Sequence, residues 1–393
     1  MQVLEGIKVL DFGRFIAGPL CAALLADYGA EVIRIDRVGG GEDRFIVPVT
    51  EQGEGALFLQ VNRNKRSITL DLDSAEGRAI VRKLVADADV VIANMPPRTL
   101  QSLGLDYESL RQIRPDIILT ASTAFGANPA VRDRVGFDGV GQALSGAVHI
   151  AGTPDQPQKA MVPVVDFATA FSCALGTMLA LYERQRSGLG QEVSASLLST
   201  GLNMASGALI EEAVLGLDRQ AMLNRSPSYG PSDIFKTRDG WIITQVIGHP
   251  MFKRWTKLVG HPELLDDPRF ADDTSRGEHG EVLCERMSEW CKDLSQSEAL
   301  ALLEKARIPA GPVNSPRQAL QDETINAADV IHWMDHPGVA RQIPIFTSPV
   351  TLSRTPPEIR QRPPLTGEHT DEVLAEIGYD VAAIAKLREQ RIV

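Results

Sequence analysis

Lys8-Val9-Leu10-Asp11-Phe12 is followed by a loop with Gly13 and Gly18, a helical run from Leu20 to Tyr28, and then Glu31-Val32-Ile33-Arg34-Ile35-Asp36. The two short apolar runs read as buried strands, and Gly29 stops the helix between them. Strand, short loop, helix and strand within about 30 residues make a βαβ unit, which implies a parallel sheet. The alternation continues outward. Ile68-Thr69-Leu70-Asp71-Leu72 reads as a short strand and Ala75 to Ala86 as a helix. Asp89-Val90-Val91-Ile92-Ala93 and Asp116-Ile117-Ile118-Leu119-Thr120 read as two more strands, with a helix around Leu110-Arg111-Gln112 between them. This repetition predicts a doubly wound α/β domain.

Such sheets bind ligands at the carboxyl ends of their strands. Asp36 stands where a dinucleotide fold keeps its ribose acid, yet Gly13 and Gly18 do not form G-x-G-x-x-G, so the nicotinamide reading is weak. Arg37, before Gly39-Gly40-Gly41, fits either a phosphate contact or a solvated surface arginine. Asn62-Arg63-Asn64-Lys65-Arg66-Ser67 holds three cations, which fits an anion site or a wet face.

Further on, Pro163-Val164-Val165-Asp166-Phe167 places one carboxylate before the apolar run Phe167 to Tyr182, which reads as a buried helix. Asp166 then begins a helix, where free N–H groups favour an anion. Two readings follow: an ordinary N-cap, or a carboxylate nucleophile held ionised by those N–H groups. Basic residues before Gly188 and Gly190 stop this helix. Composition changes near residue 222. Asn224 to Pro231 is a linker, Asp233 to Val246 a hairpin turned at Asp239-Gly240, and helical patterns run on to about Ala306.

At 393 residues the chain is long enough for two domains. A net charge of -11 argues against nucleic acid as a partner, because phosphate binding needs a basic face. Cys21, Cys173, Cys284 and Cys291 are scattered without metal-ligand spacing, so no metal is expected. No signal peptide is visible, and no run is expected to reach the roughly 18 apolar residues of a membrane span. A cytoplasmic enzyme with no membrane partner is the expectation.

These stretches, in this order, resemble the class III CoA-transferase family from end to end. The resemblance is carried by Leu4 to Asp11, Gly18-Pro19, Leu24 to Arg37, Asn64 to Ile68, the Asp166 segment, Gly188 to Gln191, Asp239-Gly240 and Leu365 to His369. It implies a large CoA-binding α/β domain built from both chain ends (residues 1–220 and 321–393), a smaller α+β domain (221–320), and an interlinked homodimer. Coenzyme A would be substrate and acyl carrier, with an acyl-CoA donor and a carboxylic acid acceptor. Asp166 matches the nucleophilic aspartate. Arg37, Leu70, Asp71, Asn94, Met95 and Phe137 are expected at the CoA site. Asp73 and Ser102 stand where many members have a lysine or an arginine, and Arg98 and Arg134 are the nearby cations that could compensate. Gly248, in Ile247-Gly248-His249, stands where transferases carry a mobile glycine run.

The family's racemase branch pairs an aspartate with the histidine of a Gly-His-Asp motif. Here the motif is Gly136-Phe137-Asp138, and phenylalanine carries no proton. The expectation is therefore a transferase working through an aspartyl anhydride and an aspartyl-CoA thioester. A 2-methylacyl-CoA racemase and a non-catalytic CoA-binding protein are the alternatives. Asp138 either orients the nucleophile or caps the helix that follows it.

Overall fold

The computed structural model describes residues 2–393. Packing groups the chain into two units. The first runs up to Ser145 and resumes over Ala160–Leu209 and Ala328–Val393; the second comprises Gly146–Lys159 and Ile210–Ala327. The second unit thus begins before the linker around residue 224. It also takes in an excursion, 146–159, that composition does not mark.

The first unit is built on a parallel sheet of six strands: β1 (Lys8–Asp11), β2 (Glu31–Asp36), β3 (Lys65–Thr69), β4 (Val90–Ala93), β5 (Ile118–Thr123) and β6 (Glu192–Ser196). Their spatial order is β3-β2-β1-β4-β5-β6, and every pairing is parallel. Strand order reverses on either side of β1, the arrangement of a doubly wound fold. Side chains alternate between two buried faces. Leu10, Ile33, Ile68, Val91 and Leu119 face one core, whose other wall is α2 (Ala75–Asp87), α3 (Tyr107–Ile113), α6 (Thr370–Glu376) and α7 (Val381–Glu389). Val9, Val32, Val90, Ile92 and Ile118 face the other, covered by α1 (Ala17–Asp27) and α5 (Val164–Ser187). Burial on both faces is why these strands are continuous apolar runs.

Helix α5 corrects one sequence expectation: it is long and apolar enough, by length and composition, to cross a membrane. Its apolar residues divide, however. Cys173, Ala180 and Leu181 join the core, while Phe171, Leu175, Leu179 and Tyr182 form an exposed stripe.

The cation run 62–66 is neither an anion site nor a wet face. Arg63 forks onto Asp27, with contacts of 2.6 to 3.2 Å, and buried Lys65 donates to Asp11 at 2.7 Å. Arg66 pairs with Glu31, Glu372 and Glu376. Asp36 is likewise unavailable to a ribose: it is buried and bonded to Arg34 at 3.0 Å and Arg44 at 2.7 Å. Paired buried ions are costly to break, about 3–5 kcal/mol when one partner is removed. This network therefore holds the carboxyl ends of β1 and β2, whose last residues are Asp11 and Asp36. Lys65 shows the cost of burial, which pushes its ammonium down to about 8 despite Asp11.

In the second unit, β7 (Ser232–Lys236), β8 (Trp241–Gln245) and β9 (Ala310–Pro312) form an antiparallel sheet. The β7–β8 hairpin turns at Asp239-Gly240, and Thr237 N–H donates to the Gly240 carbonyl at 3.0 Å. The unit's core holds Phe235, Ile242, Phe252, Trp255, Leu283 and Met287.

Candidate active site

A cavity of about 910 Å³ opens at the carboxyl ends of the strands in the first unit. Every strand of the sheet delivers residues to it. Arg14 and Phe15 follow β1, Arg37 follows β2, Leu70 and Asp71 follow β3, and Asn94 and Met95 follow β4. Ser122 and Thr123 end β5, and Leu197 follows β6. Asp166 projects into the same space from α5, as does Phe137 from the turn before α4 (Asp138–Leu144).

Asp166 is not the N-cap. Pro163 occupies that position, and Asp166 is the third residue of the helix. The capping carboxylate comes from elsewhere in the unit. Asp138 Oδ1 accepts the N–H groups of Val165 at 2.8 Å and Asp166 at 3.1 Å. Asp138 begins α4 but caps α5, so it neighbours Asp166 and does not cap the helix that follows it. Its other oxygen accepts Gln142 Nε2 at 2.5 Å, and Gln142 Oε1 accepts Ala160 N–H at 2.8 Å. The first turn of α5 is thereby saturated, since Val164 N–H and Phe167 N–H go to the carbonyls of Val162 and Pro163.

The expectation that these N–H groups keep Asp166 ionised is overturned. Burial pushes its carboxyl up to about 7, and the neighbouring Asp138 charge adds to the rise. Among the described residues, no side chain donates a hydrogen bond to the Asp166 carboxyl. A partly buried carboxylate that accepts no side-chain hydrogen bond is a stronger nucleophile than a fully solvated one, provided the pH is high enough to ionise it.

The loop after β1 is held rigidly beside it. Asn94 clasps the loop with both ends of its amide: Oδ1 accepts Arg14 N–H at 2.7 Å, and Nδ2 donates to the Arg14 carbonyl at 2.7 Å. Gly13 is required here, because an added Cβ would lie 2.7 Å from both Asp11 Oδ1 and Pro19 Cδ. Phe15 takes a left-handed backbone, φ 61°, and meets Phe137 edge to face at 5.4 Å. Ile16 and Ala17 bring the start of α1 to the cavity wall, and no side chain caps that start.

The sequence reading thus places Arg37, Leu70, Asp71, Asn94, Met95, Phe137 and Asp166 on one wall system. Arg98 and Arg134 are not on it. Arg98 is exposed and pairs with Asp133 at 3.0 Å, and Arg134 stacks 4.6 Å from the Phe125 ring centroid. Ser102 and Asp73 do line the cavity. Gly248 belongs to the second unit, where its N–H donates to Asp273 at 2.9 and 3.0 Å. Arg14 and Arg391 also line the cavity and were not anticipated. Arg14 was discoverable as the first cation after a parallel strand's carboxyl end. Arg391 was not, because only folding brings it to β3. Among the described residues, no histidine or lysine lines the cavity and no group of acidic, Cys or His residues is arranged to hold a metal.

Residues 4–370 match the model of CoA-transferase family III. The chain is similar to succinyl-CoA–D-citramalate CoA-transferase of Chloroflexus aurantiacus, 32% identical over 399 residues that span 99% of this chain and 98% of that protein. It is similar to succinate–glutarate CoA-transferase of Agrobacterium fabrum, 33% identical with 95% of each chain covered. The crystal structure of a CaiB/BaiF family protein from Brucella suis superposes with a TM-score of 0.84 at 32% identity, covering 96% of this chain and 99% of that one.

Proposed function

The chain belongs to CoA-transferase family III, and from that premise we propose that Asp166 is the nucleophile of an acyl-CoA:carboxylate CoA-transferase. The observation that carries the proposal is the placement of this partly buried carboxyl, its pKa raised by burial, in the cavity that all six strands feed. The ionised Asp166 attacks the thioester carbonyl, the C–S bond breaks, and CoA leaves as thiolate from a mixed anhydride. The thiolate attacks the aspartyl carbonyl and releases the donor acid, leaving an aspartyl-CoA thioester. The acceptor carboxylate attacks that thioester, and the returning thiolate forms the new acyl-CoA and regenerates Asp166. Each exchange conserves charge and needs no proton donor.

The N–H groups of the α5 first turn are spent, so the tetrahedral oxyanions need other donors. The uncapped start of α1 at Ile16 and Ala17 supplies them in this reading, and its dipole favours negative charge. Phe137 at the cavity wall in place of a proton carrier supports transfer over racemisation. The named relatives support succinyl-CoA as donor and a short dicarboxylic acid as acceptor. A second copy of the chain covers the exposed Phe171, Leu175, Leu179 and Tyr182 stripe of α5, in keeping with the dimer that the family resemblance implies.

The direct test is a mass-spectrometric screen of CoA transfer from succinyl-CoA to a panel of mono- and dicarboxylic acids. New acyl-CoA with several dicarboxylates supports the reading; no transfer to any acid overturns it.

A further inference from the structure

We propose that Arg391 is a phosphate-binding residue of the CoA nucleotide, an inference that rests on the CoA-transferase reading above. Arg391 follows α7 and lines the cavity beside Asp71, Leu72 and Asp73. Its position is held from three directions. Ile392 N–H donates to the Leu387 carbonyl at 2.9 Å and Arg391 N–H to the Arg388 carbonyl at 2.9 Å, the paired bonds of a Schellman motif. The Ile392 side chain is buried in the same core as Leu387, the apolar contact that usually accompanies this motif. The Ile392 carbonyl accepts Asp71 N–H at 2.8 Å, which ties the segment to the chain leaving β3. Arg391 is therefore anchored by backbone on both sides while its side chain stays exposed.

The residue between those anchors has a left-handed backbone, φ 56°. Glycine takes this conformation without the steric cost that an L side chain incurs. Arginine here trades backbone ease for a guanidinium at the cavity wall. That guanidinium is also unoccupied: among the described residues it has no hydrogen bond or ion pair. Of the cavity's other two cations, Arg14 is engaged and Arg37 is exposed and only loosely paired. Arg14 donates to the carbonyls of Gly13 and Ile35 at 3.1 and 3.2 Å, and Arg37 lies 3.7 Å from Glu42. The acids Glu42, Asp71 and Asp73 line the same cavity. A ligand whose nucleotide end carries a diphosphate and a 3′-phosphate needs a cation not already committed, and a guanidinium suits phosphate because it can donate two parallel N–H bonds.

The test uses the full-length chain and titration calorimetry with CoA and with dephospho-CoA. Arg391→Gly removes the cation and gives the position the residue its backbone prefers, so its melting temperature is expected to equal or exceed that of wild type. Its CoA affinity is expected to fall about tenfold. Arg391→Lys, which keeps the charge, is expected to recover part of the loss. A loss confined to CoA assigns the 3′-phosphate, and an equal loss with dephospho-CoA assigns the diphosphate; either supports the proposal. Wild-type affinity in a folded Arg391→Gly overturns it while leaving the CoA-transferase reading intact. Failure of the wild-type chain to bind CoA overturns both.

Discussion

Asp138 accepts the backbone N–H of Asp166 at 3.1 Å, and its charge helps push the Asp166 carboxyl up to about 7. One carboxylate thus fixes the helix that carries Asp166, the proposed nucleophile, and also makes Asp166 harder to ionise. The arrangement has a direct kinetic consequence. In the free enzyme kcat/KM is expected to rise with pH through a limb near 7, as Asp166 loses its proton. Asp138→Asn keeps a carbonyl oxygen to accept from the helix but removes the charge, so the limb should move to lower pH. Burial is the larger cause and remains, so the limb should stay above the ordinary carboxylate range. A limb that does not move in this variant would show that the Asp138 charge does not reach Asp166.

Asp166→Ala and Asp166→Asn are expected to abolish transfer while CoA still binds. Hydroxylamine added during wild-type turnover should leave a hydroxamate at Asp166, detectable by peptide mass. Wild-type turnover in either variant would remove Asp166 from the mechanism.

The same substitution bears on stability. The folded carboxyl titrates near 7 and the unfolded one near 3.8, so the native state holds the extra proton between those values. Stability from this group is full below about pH 4 and is lost as pH rises through 7. Asp166→Asn avoids that loss. It should be more stable than wild type at pH 8 by an amount on the order of 1–2 kcal/mol, discounted because the group is only partly buried, and so should melt higher. The gap should close towards pH 4, and paired melting curves at the two pH values measure it.

Arg37→Ala is expected to weaken CoA about tenfold, and more than it weakens dephospho-CoA, if the guanidinium meets the 3′-phosphate. Its side chain is 67% exposed and faces Glu42 only loosely at 3.7 Å, so it is free to turn to a ligand. Equal weakening of both ligands would place it elsewhere on the nucleotide.

Incubated with a chiral 2-methylacyl-CoA in deuterium oxide and no acceptor acid, the protein should incorporate no deuterium at the α-carbon. Phe137 cannot return a proton, and Asp138 is bonded to two backbone N–H groups and to Gln142. Rapid α-deuteration without transfer to any added acid would favour a racemase instead.

Light scattering at micromolar concentration should give a dimer mass. Leu175→Glu with Leu179→Glu should yield aggregate or monomer, because both side chains lie on the exposed α5 stripe. A wild-type monomer would leave that stripe without its proposed cover.

The sequence by itself determined the parallel sheet, the hairpin at Asp239-Gly240 and the identity of Asp166 as the carboxylate to watch. These are local matters: strand and helix periods, turn residues and short motifs are written in consecutive positions. The family resemblance also pointed to Arg37, Leu70, Asn94 and Met95, and in the fold each of them follows a strand, where a parallel sheet gathers its strands' carboxyl ends at one edge. Tertiary structure alone decided the rest. Whether Arg63, Lys65 and Asp36 are surface charges or buried pairs depends on Asp27, Asp11, Arg34 and Arg44, which packing brings to them. Whether Asp166 is held ionised or pushed towards the neutral acid depends on which carboxylate caps its helix, and that cap is 28 residues away in the chain. Arg391 reaches the cavity only because Ile392 docks against the segment after β3. Charge state and ligand access are set by neighbours in space, and those neighbours are chosen by burial of apolar faces rather than by adjacency along the chain.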